Sequence, residues 1–158
     1  MKELPSLPAH LRFGGGLGFS NEKMINILII THEDFGATLL KTARNIIGEQ
    51  QFSAAVSIKS NEDPKSVEIR LEKIIKAFNI ENGLLILLDL VGGTPSVVCT
   101  SLLKKFNNKI EILSGVNLYM VMSAFTHRQK LTLLELKEKV LSDAKASIMD
   151  LKGNFFRA

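Results

Sequence analysis

Two residues of this chain could do chemistry together: His32 and Asp89, each placed at the end of an apolar run. His32 follows Ile25-Asn26-Ile27-Leu28-Ile29-Ile30-Thr31, and Asp89 follows Leu84-Leu85-Ile86-Leu87-Leu88. Short apolar runs bounded by turn residues read as buried strands. After Asp89, Gly92-Gly93-Thr94-Pro95 reads as a glycine turn, a hydroxyl N-cap and a proline at helix position N1. Neighbouring strands lie roughly 4.8 Å apart, so groups just past the ends of two adjacent parallel strands can touch. A carboxylate that accepts a proton from one imidazole nitrogen fixes the tautomer and leaves the other nitrogen as nucleophile. It also stabilises the cationic ring formed when that nitrogen attacks phosphorus. The amides of Gly92, Gly93 and Thr94, with the Thr94 hydroxyl, would then hold phosphate oxygens at a helix start. Together these residues point to phosphoryl chemistry on His32.

Each residue alone has an ordinary explanation. A lone histidine after a strand is usually structural or solvated, a loop aspartate is common, and Gly-Gly-Thr-Pro is an ordinary way into a helix. The joint placement is what gives them weight. His10 and His127 are the only other histidines, and the three are too scattered for metal-ligand spacing. His127, beside Arg128 and Lys130, is expected to be exposed and to cap a helix end. Gly14-Gly15-Gly16-Leu17-Gly18 has neither a preceding strand nor a following lysine in register, and no nucleotide-binding glycine motif occurs elsewhere. Cys99, the single cysteine, permits no intrachain disulfide and is expected to be a buried packing thiol.

The elements that must position these residues follow from periodicity. Strands are expected near residues 25–30, 52–58, 84–88 and 110–114, with Thr31-His32 delivered into a loop. Helices alternate with them. The first, near residues 35–47, presents Leu39, Leu40, Ala43, Ile46 and Ile47 as one stripe and ends at Gly48. The second follows Asp63-Pro64 and buries Val67, Leu71, Ile74 and Phe78. The third runs from Pro95 to about Phe106, a short fourth passes through Met120 and Phe125, and a fifth spans about 132–146. Such alternation predicts a three-layer α/β/α fold with a mainly parallel four-stranded sheet. Strand order 2-1-3-4 would put the topological switch point, where doubly wound sheets bind ligands, between the strands carrying His32 and Asp89. Residues from Ile148 to Phe156 could add a fifth strand, at the edge or exchanged with a partner.

The chain has 158 residues, 46% hydrophobic and 23% charged, which suits one globular domain. Residues 1–23 break the pattern with two prolines and a glycine cluster. They are expected to be a disordered tail, or an extension upstream of a true start at Met24, leaving 24–158 as the domain. They carry net +1 of the overall +4. One tyrosine, no tryptophan and no long basic run argue against nucleic-acid binding. No apolar run approaches the roughly 20 residues that span a bilayer, and no secretory signal is evident, so a cytoplasmic location is expected.

Ile29-Ile30-Thr31-His32, Leu39-Leu40-Lys41-Thr42-Ala43 with Gly48-Glu49, Asp89 through Pro95, and Ser114-Gly115-Val116-Asn117 together resemble a known family. It is the mannose-type enzyme IIA component of the bacterial sugar phosphotransferase system, and the similarity runs from about Met24 to about Ala146. The resemblance implies a phosphoryl carrier loaded by the histidine-bearing phosphocarrier protein and discharged to a IIB component. That component would be a separate chain, serving a membrane permease. His32 would take the group, at Nε2, with Asp89 on its other nitrogen and no metal or organic cofactor. A homodimer is implied, with the C-terminal segment crossing between subunits. The chain departs from the family pattern at Glu33, where glycine is frequent, and at Leu90, where a hydroxyl residue is frequent. A carboxylate at position 33 should repel a bound phosphoryl group unless it points to solvent. Two rival readings keep the histidine chemistry and change the recipient: a phosphoryl donor for dihydroxyacetone kinase, or a regulatory module whose phosphorylation governs partner binding.

Overall fold

A computed structural model of the chain describes residues 24–78 and 80–156. The expectations for residues 1–23, including His10 and the glycine cluster, lie outside the described residues. The elements in order are β1 (Asn26–His32), α1 (Phe35–Ile47), β2 (Ser53–Ile58), α2 (Pro64–Ala77), β3 (Leu84–Leu88), α3 (Gly93–Phe106), β4 (Ile110–Ser114), α4 (Leu118–His127), α5 (Leu133–Ala146) and α6 (Leu151–Phe156). A single 3-10 turn, Asn107–Lys109, joins α3 to β4.

The four strands form one parallel sheet in the order β2-β1-β3-β4. Parallel sheets are covered on both faces, and β1 and β3 show it in their composition. Ile27 and Ile29 of β1, with Leu85 and Leu87 of β3, share a core with Leu40 and Ala43 of α1, Val121 of α4 and Leu136 of α5. Leu28 and Ile30, with Leu84, Ile86 and Leu88, share the opposite core with Val67 and Leu71 of α2 and Leu102 of α3. Each such side chain removed from water contributes roughly 1.5–3 kcal/mol before conformational entropy is counted. With hydrophobic layers on both sides, β1 and β3 are held in the centre of the sheet. Their carboxyl ends are therefore rigid platforms.

The helix starts are set locally. Asp63 caps α2, accepting from Ser66 N–H at 2.9 Å, with Pro64 at the first position as expected. Asn117 caps α4 through Met120 N–H at 2.9 Å. Thr132 and Glu135 form a reciprocal capping box on α5. Helix α1 has no side-chain N-cap; instead the hydroxyl of buried Thr31, on β1, accepts from Gly36 N–H at 2.7 Å.

Four expectations change. β1 extends through His32, because His32 stays in register with Ile58 and the next amide, Glu33 N–H, bonds Ile58 O at 3.1 Å. Helix α3 begins at Gly93 with Gly92 as its N-cap, so Thr94 is not the cap and Pro95 is the third helical residue. Ile46 leaves the apolar stripe of α1 and is exposed. The C-terminal segment is not a fifth strand in the single chain; Leu151–Phe156 is helical. An added strand would have to pair along β2 or β4, the two edges of the sheet, and the segment pairs with neither. Among the described residues the sheet has four strands.

Candidate functional site

The register explains how His32 and Asp89 meet. Ile30 of β1 lies opposite Leu88 of β3, so His32, two residues on, and Asp89, one residue on, leave the sheet side by side. Asp89 is fixed from behind: Gly115 N–H donates to its carbonyl at 3.1 Å, and Val116 N–H donates to the Leu88 carbonyl at 2.8 Å. The expected pair therefore forms, at the switch point between β1 and β3.

The Asp89 carboxylate is almost fully engaged. Oδ2 accepts the backbone N–H of His32 at 2.8 Å and lies 2.9 Å from His32 Nδ1. Oδ1 accepts Leu90 N–H at 2.8 Å. Burial pushes this carboxyl up, but the His32 and Leu90 hydrogen bonds and the attraction of the imidazole outweigh it. The result is a pKa below the ordinary aspartate value. An ionised carboxylate only accepts, so in the neutral ring Nδ1 carries the proton and Nε2 is the nitrogen with the lone pair. The Asp89 side chain is 11% exposed and that of His32 37% exposed, which leaves the ring open to a partner.

Nε2 faces the start of α3. A Cβ added at Gly93 would sit 3.6 Å from it, so the Gly93 backbone borders that space. Gly92 and Gly93 both have positive φ, +99° and +73°, a region that L side chains rarely enter. The four backbone nitrogens at this helix end are unequal as donors. Pro95 has none. Gly92 N–H donates to Ser96 Oγ at 2.7 Å, and Ser96 Oγ donates to Gly92 O at 2.8 Å. Among the described residues, the N–H groups of Gly93 and Thr94 remain without an acceptor, as expected for a first helical turn. Of the three expected phosphate-binding residues, Gly93 and Thr94 thus offer amides, while Gly92 shapes the turn.

Glu33 sits at φ +47°, the left-handed region where glycine is easiest, and its side chain is exposed. Leu90 is 61% exposed, and its backbone amide supplies Asp89 with a donor regardless of side chain. His127 is elsewhere. It ends α4, and the next carbonyl, Arg128 O, accepts from Ile25 N–H at 3.3 Å at the opposite end of β1. It is half-buried rather than exposed, with Nε2 3.9 Å from Asp143 Oδ2. Cys99 is buried as expected, and desolvation pushes its thiol up to about 12. No group of three or more metal-ligating side chains gathers among the described residues. A cavity of about 550 Å³ lies along the β2 edge beside Arg44 and Arg70, and neither His32 nor Asp89 lines it.

Sequence reasoning missed Thr31 and Ser96. Thr31 was legible only as a loop residue beside His32, since nothing in its neighbours announces a hydroxyl that ties α1 to β1. Ser96 had one available signal: it stands four residues after Gly92, one helical turn away.

Fold and site together define a doubly wound α/β protein that holds an ordered histidine open toward a helix N-terminus. A family model described as EIIA-man, PTS system fructose IIA component, matches residues 26–141. The PTS system fructose-specific EIIA component of Bacillus subtilis (strain 168) is 27% identical over 113 residues, 72% of this chain and 77% of that protein. The crystal structure of a phosphotransferase system component EIIA from Streptococcus agalactiae matches with TM-score 0.74 and 30% identity, over 82% of this chain and 98% of that one. The mannose/sorbose specific IIA subunit from Enterococcus faecalis shares the fold, with TM-score 0.73 at 21% identity over 81% of this chain and 95% of that one. The chain belongs to the EIIA-man family of sugar phosphotransferase system IIA components.

Proposed function

We propose that this chain carries a phosphoryl group on His32 between the histidine-bearing phosphocarrier protein and a IIB component, in the cytoplasm, in service of sugar uptake. The observation that carries this reading is the orientation of one ring. Asp89 Oδ2 lies 2.9 Å from Nδ1, while Nε2 lies beside Gly93, the first residue of α3, where the amides of Gly93 and Thr94 have no acceptor among the described residues. In the loading step the Nε2 lone pair forms a bond to phosphorus as the N–P bond of the donor phosphohistidine breaks. The electron pair of that bond returns to the donor ring. His32 keeps its Nδ1 proton and becomes a cation, which Asp89 stabilises at hydrogen-bond distance. The Gly93 and Thr94 amides receive the phosphoryl oxygens, with the positive end of α3 behind them. Discharge to the IIB component is the reverse exchange, and neither step needs a metal or an organic cofactor.

Exchange between two proteins requires a surface where they can meet. Phe35, Leu90, Val91, Val97 and Tyr119 are exposed apolar side chains at the starts of α1, α3 and α4, the same edge of the sheet as His32. That composition suits a protein partner. The family's dimeric arrangement is part of the same reading, with the exposed Ile148, Met149 and Leu151 near the C-terminus available to a second copy.

The deciding experiment is intact mass spectrometry after incubation with phosphoenolpyruvate, enzyme I and the phosphocarrier protein. One acid-labile phosphoryl group on the wild type and none on His32→Ala is the expected result. Label retained by His32→Ala would overturn the site, and an unlabelled wild type would overturn the carrier role.

A further inference from the structure

Two successive glycines make a poor scaffold for a phosphate site unless something holds them. Gly92, at φ +99° and ψ 166°, and Gly93, at φ +73°, occupy backbone regions that a glycine pair enters and leaves freely. Gly92 has no side chain to cap α3, and Pro95, third in the helix, cannot complete a capping box from that position. Ser96 fills the gap from one turn into the helix. Its single hydroxyl accepts Gly92 N–H at 2.7 Å and donates to Gly92 O at 2.8 Å, so it grips both polar groups of the same residue. Gly92 O is also the first carbonyl of the helical ladder, because Gly92 is the N-cap. The serine therefore locks the turn to the helix frame, one residue before the glycine that faces His32 Nε2.

We propose that Ser96 is a positioning residue for phosphoryl transfer, holding Gly92 so that the Gly93 and Thr94 amides are aimed at the phosphoryl group before it arrives. This rests on the carrier reading above and adds to it a residue that need not touch phosphate. With the hydroxyl, the amides are ordered in the resting protein. Without it, the same two glycines must be ordered during transfer, so the loss falls on the transition state.

The test uses the full chain with phosphoenolpyruvate, enzyme I and a varied concentration of phosphocarrier protein, reading the rate of His32 loading. Ser96→Ala should lower kcat roughly tenfold, the scale of a lost hydrogen bond at a charged centre, with KM for the phosphocarrier unchanged. Ser96→Thr, which keeps the hydroxyl, should recover to within about threefold of wild type. Amide exchange at Gly92 should accelerate in Ser96→Ala and stay slow in Ser96→Thr. Ser101→Ala is the control for general damage to α3, since Ser101 Oγ bonds Glu68 on α2 at 2.6 Å, and it should load normally. Wild-type kcat in Ser96→Ala, or a Ser96→Thr protein as slow as the alanine variant, overturns the positioning role. A wild-type chain that never takes a phosphoryl group overturns the carrier reading instead, and this role with it.

Discussion

Asp89 does two jobs with one oxygen. Its Oδ2 holds the backbone of His32 and also the Nδ1 side of the ring, so it sets both where the histidine stands and which nitrogen is left open. Asp89→Asn keeps the shape but loses the charge proposed to balance a phosphorylated ring, and it can satisfy Nδ1 in the wrong tautomer. The expected consequence is a roughly hundredfold to thousandfold slower loading of His32, the scale seen when a preorganised electrostatic partner is removed; rapid-quench phosphorylation would check it. Gly93→Ala tests the other side of the ring. A Cβ there meets Nε2 at 3.6 Å, an ordinary contact in the resting protein, but it occupies the space a phosphoryl group needs. Loading should fall below detection while the fold survives at about 1–2 kcal/mol lower stability, the strain of an L residue at positive φ. Near-normal loading of Gly93→Ala would mean the phosphoryl group does not lie against α3. The exposed Glu33 should matter far less: Glu33→Gln is expected to change the loading rate by less than about threefold at physiological salt, because water and ions screen a surface charge.

The elements were largely legible because their signals are long-range repetitions. Val67, Leu71, Ile74 and Phe78 repeat at helical spacing and are all buried, and the continuous apolar runs of β1 and β3 are those of strands covered on both faces. The candidate pair was legible for the same reason, since strand ends and topology place His32 beside Asp89. What stayed hidden depends on single contacts between elements. Thr94-Pro95 has the composition of a helix start, yet the glycine turn closes earlier because Ser96 grips Gly92, and no periodicity records that. Gly36 is a similar case. It looks like a weak helix residue, but α1 approaches β1 so closely there that an added Cβ would lie 2.9 Å from Thr31 Oγ1 and 3.0 Å from Ile29 Cγ2. Gly36→Ala should therefore destabilise the protein by about 1–3 kcal/mol despite alanine's better helix propensity, because overpacking of a rigid contact outweighs it. A urea midpoint that rises instead would show that α1 can shift away from the strand without loss.

At the scale of the whole molecule, carboxylates hold turns, helix starts and the junctions between elements. Glu62 accepts from Lys59 N–H and pairs with Arg70; Asp63 caps α2; Glu68 reaches Ser101 and Lys105 on α3; Asp89 holds β1; and Asp143 binds Lys139 and Ser123 across α5 and α4. In Glu62, Asp63, Glu68 and Asp143 the hydrogen bonds lead in pulling the pKa down; in Asp89 burial opposes them and loses. All five therefore bind protons less readily folded than unfolded. Their stabilisation is complete above the ordinary carboxylate range, near pH 4, and disappears as pH falls through the depressed folded values. The raised Lys105 and Lys137 pKa values set the alkaline limit of such links: their contribution is present below the ordinary lysine value of 10.5 while the partner glutamates are ionised, and fades as pH rises through the raised folded values. Acid should thus loosen several element junctions together. The urea midpoint is expected to drop steeply between about pH 4.5 and pH 3, whereas the same scan of Asp89→Asn should start lower and fall less steeply, because one of the five titrating links is already gone. Parallel curves for the two proteins would mean that Asp89 titrates alike in both states, and the hydrogen bonds that hold His32 would then contribute nothing through its charge.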